Sequence, residues 1–283
     1  MIIFKKAENL KNYLGSHRNN KKLKIGFVPT MGALHQGHIS LIEACKKEND
    51  LSVSSIFVNE RQFNNRIDFE KYPASVDGDI YKLEKAACGV LFLPTEVEVY
   101  PVTYANKHFD LGYVETVFEG TYRPGHFQGV CQVVERLLDI VSPDVLYLGQ
   151  KDYQQCIVIK KLVDLMGQSD KINIRIHPTM READGLAMSS RNIRLSKEDR
   201  ETAPNIHKAL MHIKNNLHEG DLKQLINRAK EKLQTHDFKI DYLEVADAET
   251  LELVNEPKPK QKLVVLVAAS LGEVRLIDNM LLN

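Results

Sequence analysis

"LKIGFVPTMGALHQGHISLIEACKKEN", Leu23 to Asn49, carries three signals in a row. Its start is an apolar run of strand length. Pro29 to His38 is a loop with glycines at 32 and 37 and histidines at 35 and 38. Beyond it, Ile39, Ile42 and Cys45, with Leu41 beside them, recur at helical spacing. The pattern then repeats. "LSVSSIFV" is β-branched and reads as a strand, "VDGDIYKLEKAAC" as a helix, and "GVLFLP" as a strand ended by Pro94. After an irregular stretch, "FQGVCQVVERLLDIV" has strong helical periodicity, and "PDVLYLG" is a short buried strand. "YQQCIVIKKLVDLMG" is a helix stopped by Gly167, and "INIRIHPTM" closes the series. Such alternation predicts an α/β fold, a Rossmann-like doubly wound parallel sheet with helices on both faces. Ligands of such sheets bind beyond the carboxyl ends of the strands.

The remainder reads differently. "SKEDRETAPNIHKALMHIKNNL" opens as a helix with a Ser-x-x-Asp cap at Ser196 and Asp199. A second helix is expected over Leu222 to Thr235. "IDYLEVADA", "KLVVLVAASL" and "EVRLIDNMLL" are strand-like, and the charged "NEPKPKQ" connects within them. We expect residues 1–178 to form the nucleotide-binding domain and residues 179–283 a smaller α+β domain, with the changeover between Thr179 and Asn192.

The chain of 283 residues balances 38 Lys plus Arg against 38 Asp plus Glu. Bulk charge therefore argues for neither a nucleic-acid nor a membrane partner. Cys45, Cys88, Cys131 and Cys156 stand apart in sequence among apolar neighbours and form no Cys-x-x-Cys pair, so buried thiols are expected. No apolar run reaches membrane-spanning length, and "MIIFKKAENLKNY" does not read as a signal peptide. A reducing cytoplasm is the expected setting.

The histidine loop invites a phosphate reading. A helix N-terminus offers unpaired N–H groups and partial positive charge, and Gly37 lets backbone approach a ligand. An imidazole there adds a directed donor, held neutral by the helix end. The bland alternative is that His35 and His38 only cap the helix or bond loop carbonyls. "LGQKDYQQ" again joins strand to helix, with Lys151 where phosphates would sit and Asp152 able to cap the helix, hold a ribose hydroxyl or orient Lys151. Of Gln154 and Gln155, one can face a cleft and the other solvent. "MREADGLAMSSRN" turns at Asp184–Gly185 and then offers Ser189, Ser190 and Arg191, apt for phosphate oxygens. "FVNERQFN" brings Asn59 and Gln62, amides able to bind a hydroxyl or carboxylate, and "EGTYRPGHFQGV" brings Arg123 and His126. Each stretch alone is equally readable as turn residues and surface polars.

Taken in order, "PTMGALHQGH", "FVN--QF", "RPGHFQGV", "GQKDYQQ", "READGLAMSSRN" and the closing "RLIDN" resemble the pantoate–β-alanine ligase family, within the nucleotidyltransferases of H-x-G-H signature. The resemblance spans nearly the whole chain. It implies adenylation of pantoate by MgATP, then attack by the amine of β-alanine, releasing AMP and pantothenate, a coenzyme A precursor. It implies that His38, His35, Lys151, Ser189, Ser190 and Arg191 are the catalytic set. ATP would be bound by Met31, Gly32, Ala33, Leu34, His35, Gln36, Gly37 and His38, by Gly149, Gln150, Lys151 and Asp152, and by Met180, Met188, Ser189, Ser190 and Arg191. Gln62 and Gln155 would hold pantoate, and Gln62 would border β-alanine. No tightly bound organic cofactor is implied, the protein ligands of magnesium are not identified, and Asp79 is only a conceivable one. A homodimer is expected, with the second domain covering the cleft. Two departures stand out: Glu60 replaces the family's usual proline, which would add a carboxylate near the pantoate end, and Ala74 replaces its usual arginine. The rival readings are a plain adenylyltransferase and a non-catalytic nucleotide sensor.

Overall fold

The computed structural model describes residues 1–21, 23–73, 75–218 and 221–283. Ala74 lies outside them. In the first part the elements run β1 (Ile2–Phe4), α1 (Ala7–Lys21), β2 (Ile25–Thr30), α2 (Gln36–Glu48), β3 (Leu51–Ile56), α3 (Arg66–Glu70) and α4 (Val76–Lys85). There follow β4 (Val90–Phe92), α5 (Glu96–Val99), α6 (Glu119–Tyr122), α7 (His126–Val141), β5 (Val145–Gly149), α8 (Tyr153–Leu165) and β6 (Asn173–His177). The strands form one parallel sheet in the order β1-β4-β3-β2-β5-β6.

Strand periodicity divides this sheet between two cores. Phe27, Val53, Phe92, Leu146 and Leu148 pack into one cluster, while Val28, Ile56, Leu91, Val145 and Tyr147 pack into another. Both faces are therefore covered, as parallel sheets require. The expected Rossmann-like α/β sheet is present, while the periodicity did not announce β1, α1 or the short helices α3, α5 and α6. β1 is a three-residue edge strand. In α1 Leu10 and Leu14 are the buried positions among its described side chains, too few apolar positions to announce a helix.

The chain moves outward from β2 through β3 to β4 and then returns to place β5 on the other flank of β2. That reversal opens a crevice beyond the carboxyl ends of β2 and β5, where adjacent loops leave in opposite directions. The histidine loop begins after Thr30 and the Lys151 turn after Gly149, so both enter this crevice.

After β6 come α9 (Lys197–Thr202), α10 (Asn205–Asn215), α11 (Leu222–Gln234), β7 (Lys239–Asp247), β8 (Leu263–Leu271) and β9 (Val274–Leu281), the strands antiparallel in that order. Ser196 caps α9 by accepting from Asp199 N at 3.0 Å. The stretch read as a single helix is two, because Pro204 has no N–H with which to continue α9. β8 is buried along nearly its whole length. Leu263, Val265, Val267 and Ala269 join the cluster containing residues of α10 and α11. The alternate residues Val264, Leu266 and Ala268 join a cluster with Phe118 and Tyr153 from the first part. One face of the small sheet thus docks on the first part and carries β9 to the crevice.

Candidate active site

His35 is the N-cap of α2 and His38 its third residue. His35 Nδ1 accepts from Gly37 N at 3.2 Å, and His38 Nδ1 accepts from His35 N at 3.2 Å. The pair is a capping box with imidazoles in place of the usual Ser and Glu. Because each Nδ1 accepts, the proton of each neutral ring sits on Nε2. Burial, and then Lys151, pushes His35 down to about 4. Burial, followed by His35 and Lys151, pushes His38 down to about 3. Two neutral N–H donors result, with ring centroids 4.0 Å apart. Capping and ligand binding are not rival readings, since the caps orient the rings. Gly37 is required by this geometry, as a Cβ there would stand 2.9 Å from His35 Nδ1. The loop ahead is held by Asp79, 1% exposed, which accepts from Ala33 N at 2.7 Å and Leu34 N at 2.8 Å. Asp79, considered above as a metal ligand, is engaged by loop amides.

Across the crevice, Lys151 Nζ lies 3.4 Å from Asp152 Oδ1. Asp152 occupies the N-cap position of α8 without a side-chain cap bond, so its expected capping role is not realised. Gln154 is the structural member of its pair. It is 2% exposed, donates to Val114 O and Val117 O, and accepts from Glu119 N. Gln154 therefore does not meet solvent, and Gln155 lines the cleft half-buried.

Gln62 and Asn59 also separate. Asn59 is 1% exposed; its amide donates to Gln62 Oε1 and Gly129 O, and its oxygen accepts from Tyr100 Oη. Both of its amide protons are used within the protein and it lines no part of the cleft, unlike Gln62. Gln62 lines the cleft, its Nε2 3.0 Å from Met31 Sδ. His126 supports it from below. A carbonyl only accepts, so Nδ1–H donates to Gln62 O at 2.7 Å and Nε2 accepts from Arg123 Nη1 at 3.1 Å. Burial, followed by Arg123, pushes His126 down to about 4. Glu60 is exposed and lines no part of the cleft, so the added carboxylate expected near Gln62 is turned away.

The third wall is the segment after β6. Met180, Met188, Ser189, Ser190 and Arg191 line the cleft, and Ser190 Oγ donates to Ala33 O at 2.8 Å. Arg191 is engaged by Asp68, whose oxygens lie 2.7 Å from Nη2 and 3.3 Å from Nε, and Arg194 reaches the same carboxylate at 2.9 Å. Burial opposes ionisation of Asp68, but Arg191 and then Arg194 hold it below the usual carboxylate range. Sequence reasoning missed Asp68, which sits in a short polar helix with no local signal. It also missed an apolar wall of Val130, Val133, Val134 and Leu137 from α7, whose helical spacing reads as ordinary core. A third omission is Asp278 and Asn279 of "RLIDN", which border the cleft from β9.

The structure thus brings His35, Gly37, His38, Met31, Gln62, Gly149, Lys151, Asp152, Gln155 and the Met180–Arg191 set to one cleft. Gly32, Ala33, Leu34, Gln36 and Gln150 do not line it: Leu34 is core, Gln36 is exposed, and Gln150 bonds Asn279. Among the described residues no three His, Cys, Asp or Glu side chains group as a metal site, and no helix is long and apolar enough to cross a membrane.

Comparison with known proteins gives a consistent result. A family model described as pantoate-beta-alanine ligase matches residues 2–281. The chain is 42% identical to a pantothenate synthetase of Cytophaga hutchinsonii over 100% of this chain and 99% of that one. A pantothenate synthetase crystal structure from Thermus thermophilus superposes with a TM-score of 0.91 at 36% identity, covering 99% of both chains. A pantoate-beta-alanine ligase structure from Francisella tularensis, complexed with Beta-gamma ATP and Beta-alanine, superposes with a TM-score of 0.79 at 38% identity, covering 99% of this chain and 97% of that one.

Proposed function

The chain belongs to the pantoate-beta-alanine ligase family, joining pantoate to β-alanine, and from that premise we propose how its cleft divides the work. The carboxylate of pantoate attacks the α-phosphate of MgATP. Pyrophosphate leaves and pantoyl adenylate forms. The neutral amine of β-alanine then attacks the acyl carbon, AMP leaves with the bonding electrons of the broken C–O bond, and the amine proton is lost to solvent. The protein acts by positioning and charge stabilisation.

The observation that carries this reading is the pair of Nδ1-anchored imidazoles facing Lys151 across the crevice. His38 Nε2–H, with His35 beside it, donates to the α-phosphate oxygens and strengthens that bond as negative charge builds there. Lys151, Ser189, Ser190 and Arg191 take the remaining phosphate oxygens. For Arg191 this means exchanging Asp68 for phosphate. Gly149, Asp152, Met180 and Met188 surround the nucleoside. Gln62 and Gln155 hold pantoate, whose apolar body lies along Val130, Val133 and Val134, and Gln62 borders β-alanine. The complex of the Francisella tularensis relative with Beta-gamma ATP and Beta-alanine supports both ligands for this chain. Magnesium enters with ATP and neutralises phosphate charge.

Residues 1–178 act as the nucleotide-binding domain and 179–283 as its cover. The protein works as a homodimer in the cytoplasm; its four buried, unpaired cysteines favour a reducing compartment. Sedimentation at micromolar concentration tests the dimer, and a monomer there would refute it. The decisive assay omits ATP, pantoate and β-alanine in turn. AMP formation should require all three. AMP formation indifferent to β-alanine would favour the adenylyltransferase reading, and ATP binding without pyrophosphate release on adding pantoate would favour the sensor.

A further inference from the structure

The closing motif "RLIDN" supplies no group to the reaction described above, yet its last two residues are among the most buried polar side chains. Asp278 is 4% exposed and Asn279 is 2% exposed. Asn279 Nδ2 donates to Gln150 O at 2.9 Å and to Lys151 O at 2.8 Å, and its Oδ1 accepts from Gln150 Nε2 at 3.2 Å. One side chain therefore holds two successive carbonyls of the turn that carries Lys151. Asp278 is fixed in turn by Arg181, at 2.6 Å and 3.0 Å, and Arg181 follows Met180 on the third wall.

We propose that Asn279 is a positioning residue for Lys151, clamping the Gly149–Asp152 turn so that the ammonium meets the ATP phosphates, with Asp278 and Arg181 as its buttress. Lysine places its charge on a long flexible stem, so the location of that charge depends on how firmly its backbone is held. The turn is a single 3-10 segment between β5 and α8, and Asp152 does not cap the helix that follows. The clamp comes from outside, from a strand registered opposite Leu266 of β8. It needs two N–H donors on one atom and an acceptor on its neighbour at short reach. Asparagine provides this; aspartate lacks the donors and glutamine is one methylene longer. Docking of the small sheet is thereby coupled to the phosphate end of the cleft through a contact separate from the Asn59 and His126 bonds that hold Gln62 at the pantoate end.

This inference rests on Lys151 contacting phosphate, and the test separates the two claims. Lys151→Ala, Asn279→Ala and the double variant are compared by steady-state kinetics, with thermal melting as a control. Loss of its two bonds to the turn carbonyls predicts that Asn279→Ala lowers kcat/KM for ATP about tenfold while KM for pantoate stays unchanged. In the Lys151→Ala background the same change should cost almost nothing, because the clamp then has no charge to aim. Full additivity, or equal losses for ATP and pantoate, would overturn the clamp while leaving Lys151 in its role. An undiminished Lys151→Ala enzyme would overturn the role of Lys151 and the clamp together. Asn279→Asp keeps the shape and removes the donors; it should reproduce the ATP-selective loss even where Asn279→Ala folds poorly, and wild-type kinetics in it would refute the proposal.

Discussion

In the mechanism we propose, His38 has two jobs on one ring. Nδ1 closes the helix cap, which leaves Nε2–H for the nucleotide. The cap belongs to the ground state and the ligand contact strengthens in the transition state, so the two separate kinetically. His38→Ala should lower kcat by about 100-fold or more, in the range of a lost oxyanion donor, with a much smaller change in KM for ATP. Equal loss in both would assign His38 to ground-state binding alone. Protonation gives a second handle. Burial holds His35 at about 4 and His38 at about 3, so both rings are neutral in the free enzyme across ordinary pH. The profile of kcat/KM for ATP reports free-enzyme groups and should lack an acidic limb near pH 6.5 from these histidines. A limb of that kind abolished by His38→Gln would contradict the neutral pair.

Helix α7 and the Glu60–Gln62 turn meet at a point with no room for a side chain. A Cβ on Gly129 would collide with Arg61 O, a backbone atom that cannot step aside. Gly129→Ala should destabilise by roughly 2 kcal/mol through overpacking and raise KM for pantoate, because the turn it displaces carries Gln62. Denaturant unfolding with pantoate kinetics checks both. Gly15 in α1 meets nothing within 4 Å, and Gly15→Ala should stabilise by about 0.5–1 kcal/mol through the unfolded chain. Of these elements α7 was legible from pattern, whereas α1 and the Glu60–Gln62 turn were not. "FQGVCQVVERLLDIV" announced α7, yet nothing near Gly129 marks it as a packing glycine, since its neighbour across the contact lies in another loop.

At the scale of the molecule, Glu119 ties the first part to β9. It accepts from both terminal nitrogens of Arg275 at 2.7 Å and 2.9 Å and from Tyr242 Oη at 2.9 Å. Burial opposes its charge, but Arg275 and then Arg123 hold it down to about 2. Glu119→Gln removes one of the two carboxylates that Arg275 pairs with, Asp241 remaining at 2.6 Å, and should cost about 2 kcal/mol, the scale of a lost hydrogen bond to a charged group. Stability should also fall with acid in two stages. His35, His38 and His126 take up protons in the unfolded chain near pH 6.5 but resist them when folded, so stability drops from that pH down to about 4 for His35 and His126 and about 3 for His38. Glu119 adds a second loss as pH falls from about 4.5 to about 2, where its folded carboxylate finally protonates. Denaturant midpoints across pH 2–8 check the order, and in Glu119→Gln the second stage should shrink.

The amino-acid order alone determines the parallel sheet, the strand-end loops that bear His35, His38 and Lys151, and the caps of α2 and α9. Periods of 2 and 3.6 and capping bonds act between residues a few positions apart, so neighbours suffice to read them. Only the tertiary structure decides that Asn59 braces Gln62, that Asp68 holds Arg191, and that Asn279 holds the Lys151 turn. Asp68 and Arg191 are 123 residues apart in the chain, and Asn279 and Lys151 are 128 apart. Such contacts follow from which faces dock, and a buried polar group must find its partner wherever that docking brings one within reach.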